Sequence, residues 1–297
     1  MALAYLGDMI SVMTFVGRPC GGGVLVAAAL VVAAAAPEAP AQQVVSRGGS
    51  FLEAKLLPGG RLEDGRQSAA LVLTVKPGWK TYWRQPGEAG VPPEFDWTGS
   101  GNLADIEVGW PAPVVFQSFG YQTLGYGGRV VLPLSLTPER AGEPVDLRLS
   151  AMFGVCRDIC VFEEVERAVS VPAAASSLHD GVIAAGRAAM PLGAAESGVA
   201  LEACRIAGAG QSRAVTAEFT MPEGHGAPPM PVIIVEGPAG SWVEPPLLDA
   251  SEDGSIVLEA VMRLSSPDAW VERGDLRFTL LADGLAAEIR GCVPTTG

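Results

Sequence analysis

Two cysteines separated by three residues, Cys156 and Cys160 in Gly154-Val-Cys-Arg-Asp-Ile-Cys160, have the types and spacing that could do chemistry. On an extended strand, residues four apart stand about 13 Å from each other, whereas a disulfide needs Cα atoms roughly 4.4–6.8 Å apart. The pair can therefore bond only across a tight turn or one helical turn. Closing a five-residue loop gains only about 2 kcal/mol in the chain-entropy model, against about 4.6 kcal/mol for a loop of roughly ninety residues. So weak a staple favours thiol–disulfide exchange over the two other uses open to the pair, a small structural bridge or soft-metal binding. Arg157 and Asp158 keep the loop polar and accessible, and a guanidinium beside a thiol favours the nucleophilic thiolate.

Elements of strand type must position the pair. Val145, Leu147, Leu149, Ala151 and Phe153 alternate with mostly polar or small neighbours, and Val165 to Val171 reads as another short strand, which puts the cysteines at a hairpin tip. From Phe51 to Pro172 the chain is a series of short alternating runs broken by Gly and Pro, including Ala69–Val75, Lys80–Arg84 and Arg129–Leu136, the pattern of an all-β sandwich. Between Ser176 and Met190, Leu178, Val182, Ile183 and Ala189 fall at helical spacing with Ser177 as N-cap, a linker helix. Ala214–Phe219, Val232–Val235, Ser255–Arg263 and Leu276–Leu281 then read as strands of a second, smaller β-sandwich. The expected divisions are 1–41, 42–175, 176–192 and 193–297. Cys204 and Cys292 lie near the two ends of the last division, so a structural disulfide between them would join its terminal strands; the rival use is a second redox pair.

The division 1–41 is read as a secretory signal peptide: Arg18, an apolar run from Val24 to Ala36, then Ala39-Pro-Ala41 before Gln42. Asp8 is unusual in a signal's basic region, which makes Met13 a candidate start. Cys20 would be lost with the signal and lacks the small apolar residues that precede a lipidated cysteine. The alternative, an uncleaved anchor, suffers from an apolar run shorter than the ~20 residues a span needs. No later stretch approaches that length, so residues 42–297 are expected to be soluble in an oxidising compartment, with four cysteines and no integral membrane segment. The net charge of −13 and the lack of basic clusters argue against nucleic acid or anionic membrane surfaces as partners.

Other chemistry is sparse. Neither His179 nor His225 lies near the cysteine pair in sequence, which disfavours a cysteine hydrolase. Met221, His225 and Met230, or Met152 with the cysteine pair, offer soft ligands for Cu(I). There is no phosphate-binding glycine loop and no trusted pair of carboxylates, and no cofactor is expected.

The densest remaining signal is Pro77-Gly-Trp-Lys-Thr-Tyr-Trp-Arg-Gln-Pro-Gly-Glu-Ala-Gly-Val-Pro-Pro-Glu-Phe-Asp-Trp97, followed by Trp110-Pro-Ala-Pro113, Phe116-Gln-Ser-Phe-Gly-Tyr121 and Leu124-Gly-Tyr-Gly-Gly-Arg-Val-Val-Leu-Pro133. Trp79, Trp83, Trp97 and Trp110 suit core or turn packing. Together with Val155-Cys-Arg-Asp-Ile-Cys160, the order of these motifs resembles the N-terminal periplasmic domain of the DsbD family of thiol:disulfide transducers and the related Scs-type proteins, over roughly Ser50 to Pro172. The resemblance implies an immunoglobulin-like sandwich whose cysteines, Cys156 and Cys160, take electrons from a membrane electron carrier or thioredoxin-like partner and pass them to periplasmic thiol–disulfide proteins. It implies a cap over the cysteines from Phe119 and Tyr121, and places Tyr82 among the tyrosines that line the site. The cysteines of the DsbD domain are more widely spaced than those here. A full transducer also continues into a membrane domain and a thioredoxin-like domain, so for this sequence, ending at Gly297, the reductant is expected on a separate protein. The expected function is a protein-disulfide reductase or exchange component. The alternative is a non-catalytic binding module, copper-handling or an assembly partner, that presents two sandwiches as a protein-binding surface.

Overall fold

A computed structural model describes residues 45–47, 51–118, 120–225, 230–251 and 254–293. The signal segment, Met13 and Cys20 lie outside the described residues. Among the described residues strands predominate, with little helix. In chain order the first are β1 (Val45–Arg47), β2 (Leu52–Arg61), β3 (Gln67–Val75), β4 (Lys80–Gly87), β5 (Glu94–Asp96), β6 (Leu103–Val108), β7 (Val114–Ser118), β8 (Tyr121–Gly127), β9 (Arg129–Pro138), β10 (Val145–Cys156) and β11 (Cys160–Val171). Two short helices follow, α1 (Asp180–Ala188) and α2 (Ala194–Ser197). The rest is β12 (Ala200–Ala207), β13 (Ser212–Thr220), β14 (Val232–Glu236), β15 (Trp242–Val243), β16 (Leu247–Ala250), β17 (Ser255–Arg263), β18 (Arg277–Ala282) and β19 (Leu285–Arg290).

The first eleven strands make two facing sheets. One runs β1-β11-β10-β4-β8-β7, with β5 also on β10; the other runs β2-β3-β9-β6. Alternation decides which side chains meet between them. Leu71, Leu73, Leu132, Leu134, Phe153, Val155 and Trp83 point inward and form one buried core. Pro58 sits on β2, an edge strand, where its missing N–H removes no ladder bond from a central strand, and the register with β3 shifts between Pro58 and Arg61.

The last eight strands form a second pair of sheets, β12-β13-β17-β15 with β16 on β17, and β14-β18-β19. Phe219, Leu258, Met262, Phe278 and Leu280 fill the core between them. The sheet β14-β18-β19 is shared. On β14, Ile233 and Val235 face the second core, while Val232 and Ile234 pack against the first. A strand apolar on both faces is what a layer buried between two cores requires.

Helix α1 begins later than its sequence predicts. Its N-cap is His179, which makes no side-chain cap bond, and Ser177 stands outside, its hydroxyl accepting from the His179 N–H at 3.2 Å. Leu178 is therefore fully exposed, and the helix packs through Ile183 against Ala70, Val72 and Val131 on the outer face of the second sheet.

Candidate functional site: a disulfide at a hairpin tip

Strands β10 and β11 pair in register along their whole length, from Val145 opposite Val171 to Cys156 opposite Cys160. Only Arg157, Asp158 and Ile159 lie beyond the last pair, so the cysteines close the hairpin. Their Cα atoms are 4.1 Å apart and their sulfurs are bonded. The two cysteines live in different surroundings: Cys156 is 3% exposed, whereas Cys160 is an exposed residue, beside the exposed Ile159.

Strand β4 supplies the floor. Period-two alternation sends Thr81 and Trp83 to one face of this strand and Lys80 and Tyr82 to the other, the face of Cys156. Cys156 stands directly opposite Lys80 in the ladder, which places the two side chains on one face. Tyr82 Oη donates to Cys156 Sγ at 3.1 Å and lies 3.9 Å from Cys160 Sγ. Burial pushes the Tyr82 phenol up, so this hydroxyl stays a donor at neutral pH. Its ring is held by close packing on both sides. A Cβ on Gly154 would come within 3.3 Å of the ring, a tight contact, and one on Gly90 within 2.7 Å, so position 90 needs glycine.

Lys80 is 7% exposed. Its Nζ donates to Thr123 Oγ1 on β8 at 2.6 Å and lies 5.7 Å from the Tyr82 ring centre and 5.0 Å from that of Phe116. Burial pulls its ammonium below the usual lysine range. Arg157 is held elsewhere: its Nε pairs with Asp158 at 2.9 Å, and its guanidinium sits over Trp79, 5.4 Å from the ring centre. Trp79 stacks in turn on Phe51 at 3.9 Å, whose N–H is bound by the buried Glu163 at 2.7 Å.

Of the aromatics singled out for the site, Tyr82 touches the cysteines. Tyr121 is half exposed at the tip of the β7–β8 hairpin, opposite Ser118 and at the far end of β8 from Gly127, the residue paired with Lys80. Phe119 lies outside the described residues. Sequence reasoning missed Lys80, although the alternation Lys80-Thr-Tyr-Trp83 carries the signal: a lysine on the face of Tyr82.

The second cysteine pair is far from local in sequence. Cys204 on β12 is bonded to Cys292, just past β19, with Cα atoms 5.2 Å apart. Cys292 is wholly buried, Cys204 partly so, and Arg273 Nη1 donates to both backbone carbonyls, at 3.3 and 2.9 Å. Among the soft ligands considered, Met221 is buried in the second core, and His225 Nδ1 lies 3.2 Å from the Glu223 carbonyl. Among the described residues, no group of three or more His, Cys, Asp or Glu is placed to hold a metal ion.

A disulfide at a hairpin tip of a β-sandwich can be set beside known proteins. The family described as "Thiol:disulfide interchange protein DsbD, N-terminal" matches residues 53–172, the segment that carries the hairpin, its floor and the first core. Over this segment the chain is similar to that family, as its motifs implied. The crystal structure of the N-terminal periplasmic domain of ScsB from Proteus mirabilis is similar in fold, with a TM-score of 0.56 and 22% sequence identity. That match covers 82% of this chain and 94% of the ScsB domain, so the likeness extends beyond the first sandwich. No curated protein matches the chain in sequence. Among the described residues no helix is long and apolar enough to cross a membrane.

Proposed function

We propose that this chain is a periplasmic thiol:disulfide exchange module that relays electrons through Cys156 and Cys160, from a thioredoxin-like or membrane electron carrier to periplasmic disulfide proteins. The observation that carries the reading is the asymmetry of the bond: one cysteine exposed, the other buried against a phenol that donates to its sulfur. A partner thiolate attacks Cys160 Sγ. The Cys156–Cys160 bond breaks and its electron pair leaves with Cys156 Sγ as a thiolate, to which Tyr82 Oη donates. The partner's second thiolate then attacks its own sulfur in the mixed disulfide and releases Cys160. The partner ends as a disulfide and this chain as a dithiol, which passes its electrons to an oxidised client by the same steps in reverse. The Cys204–Cys292 bond serves as a structural staple.

The test is the reduction potential of the Cys156/Cys160 couple, by equilibration with glutathione and mass-resolved alkylation. A value between about −120 and −270 mV, the range of exchange proteins, is expected. A value below about −300 mV would mark a structural bridge and overturn the reading.

A further inference from the structure

A buried ammonium is costly to keep charged, and in a fold with ample surface such a group is retained where its charge is used. Lys80 is buried, opposite Cys156 in the ladder, on the same face, with Nζ fixed by Thr123 and seated between the rings of Tyr82 and Phe116. Lys80 points away from the first core, toward the face that carries Cys156. Arg157, the other cation near the pair in sequence, is engaged by Asp158 and Trp79. We propose that Lys80 is a positioning residue of the exchange site: its ammonium, acting through Tyr82, compensates the charge that appears on Cys156 when Cys160 is attacked.

The proposal rests on the exchange reading and completes its charge balance. The attack moves a negative charge from a partner sulfur in solvent to a sulfur that is almost fully buried. A hydrogen bond from Tyr82 alone leaves that charge without a counterion in a region of low polarity, where isolated charges are strongly disfavoured. A lysine across the ladder offsets this at a distance, and its bond to Thr123 keeps it from swinging out to water. With the bond reoxidised, Lys80 loses the anion and keeps the ring faces of Tyr82 and Phe116, which also attract a cation.

The experiment uses the protein with Cys160→Ser, which leaves Cys156 as a lone thiol, and titrates its thiolate absorbance in the ultraviolet. Lys80→Met in that background is expected to lower the acid dissociation constant of Cys156 about tenfold or more, and Lys80→Arg, which keeps the charge, to restore most of it. Thr123→Val, which frees the ammonium without removing it, should give an intermediate shift. Exchange of the two-cysteine Lys80→Met protein with reduced glutathione should slow in parallel. Equal titration of Cys156 with Lys80 and with Met overturns the proposal, as does an equal shift in Met and Arg variants, which would mark a packing effect. Failure of the exchange reading shows differently: the protein with both cysteines and Lys80 intact would not exchange with glutathione at all. Retention of the Cys204–Cys292 bond and of the far-ultraviolet spectrum confirms that each variant is folded.

Discussion

The two disulfides of this chain are chemically identical and physically opposite. Cys156–Cys160 closes a loop of four-residue separation, Cys204–Cys292 one of 88. In the chain-entropy model these stabilise by about 2 and about 4.6 kcal/mol. The first leaves one cysteine exposed and sets a phenol against the sulfur of the other; the second buries Cys292 completely and spends the nearby Arg273 on backbone carbonyls. The first ends a hairpin, so opening it frees only a three-residue tip. The second ties the first strand of its half to the end of its last. The difference teaches that the environment of the sulfurs, rather than the bond itself, separates a bond suited to exchange from one suited to holding a fold.

The comparison breaks most visibly at the exchange step. Cys156→Ser and Cys160→Ser should each abolish turnover with a dithiol partner, and retained turnover in either would sink the dithiol mechanism. The two variants should nevertheless differ. Cys156→Ser leaves the exposed Cys160, which should trap a mixed disulfide and alkylate about tenfold faster or more than the buried Cys156 left by Cys160→Ser. Equal alkylation rates would remove the asymmetry on which the order of attack depends. The second disulfide should behave in the reverse way. A Cys204→Ala/Cys292→Ala protein should lose about 3–5 kcal/mol of unfolding free energy, read from urea midpoints, with the potential of the first pair unchanged. A loss no larger than that caused by reducing Cys156–Cys160 would erase the distinction between staple and exchange bond.

Much of this contrast was legible in the sequence, and what was not has physical reasons. The hairpin that carries the cysteines shows in the clean alternation from Val145 to Phe153, because one face of β10 meets a core and the other does not. Strand β2 is hidden by Pro58-Gly-Gly60, punctuation that an edge strand with a register shift tolerates. Strand β8 is hidden by its glycines; at Gly125 the Thr81 carbonyl leaves no room for a side chain. The floor of the site was half legible. Tyr82 came from a resemblance of motifs, whereas Lys80 was passed over because a lysine in a strand normally points to solvent, and only the strand-to-strand register reveals that its face is covered. The seam between the two halves gave no signal at all. Arg84, Glu236 and Glu288 are far apart in the chain, and their meeting is a product of the tertiary fold.

That seam offers the finest test of the contrast between the disulfides. Arg84 on β4 pairs with Glu236 on β14 at 2.8 Å and with Glu288 on β19 at 2.6 Å, and its guanidinium lies over Trp83. Burial alone would raise the Glu288 carboxyl, but Arg84 and Arg277, with the Arg290 hydrogen bond, outweigh it and hold the group below the usual glutamate range. A carboxyl with a depressed folded-state pKa contributes stability that is full above the unfolded value of about 4.3 and is lost as pH falls through the folded value. Urea midpoints should therefore show no contribution from Glu288 to any change between pH 7 and about 5, and a loss below about 4.3. Arg84→Met removes the counter-charge that holds the folded value down, so the loss below about 4.3 should shrink. Strand β19, which carries Glu288, runs into Cys292, whereas the hairpin tip has no part in the seam. The acid profile should then be the same with Cys156–Cys160 oxidised or reduced, and should shift when Cys204 and Cys292 are replaced by alanine. A profile that follows the state of the hairpin bond would mean that exchange is felt across the seam, and the two disulfides could no longer be treated as separate devices.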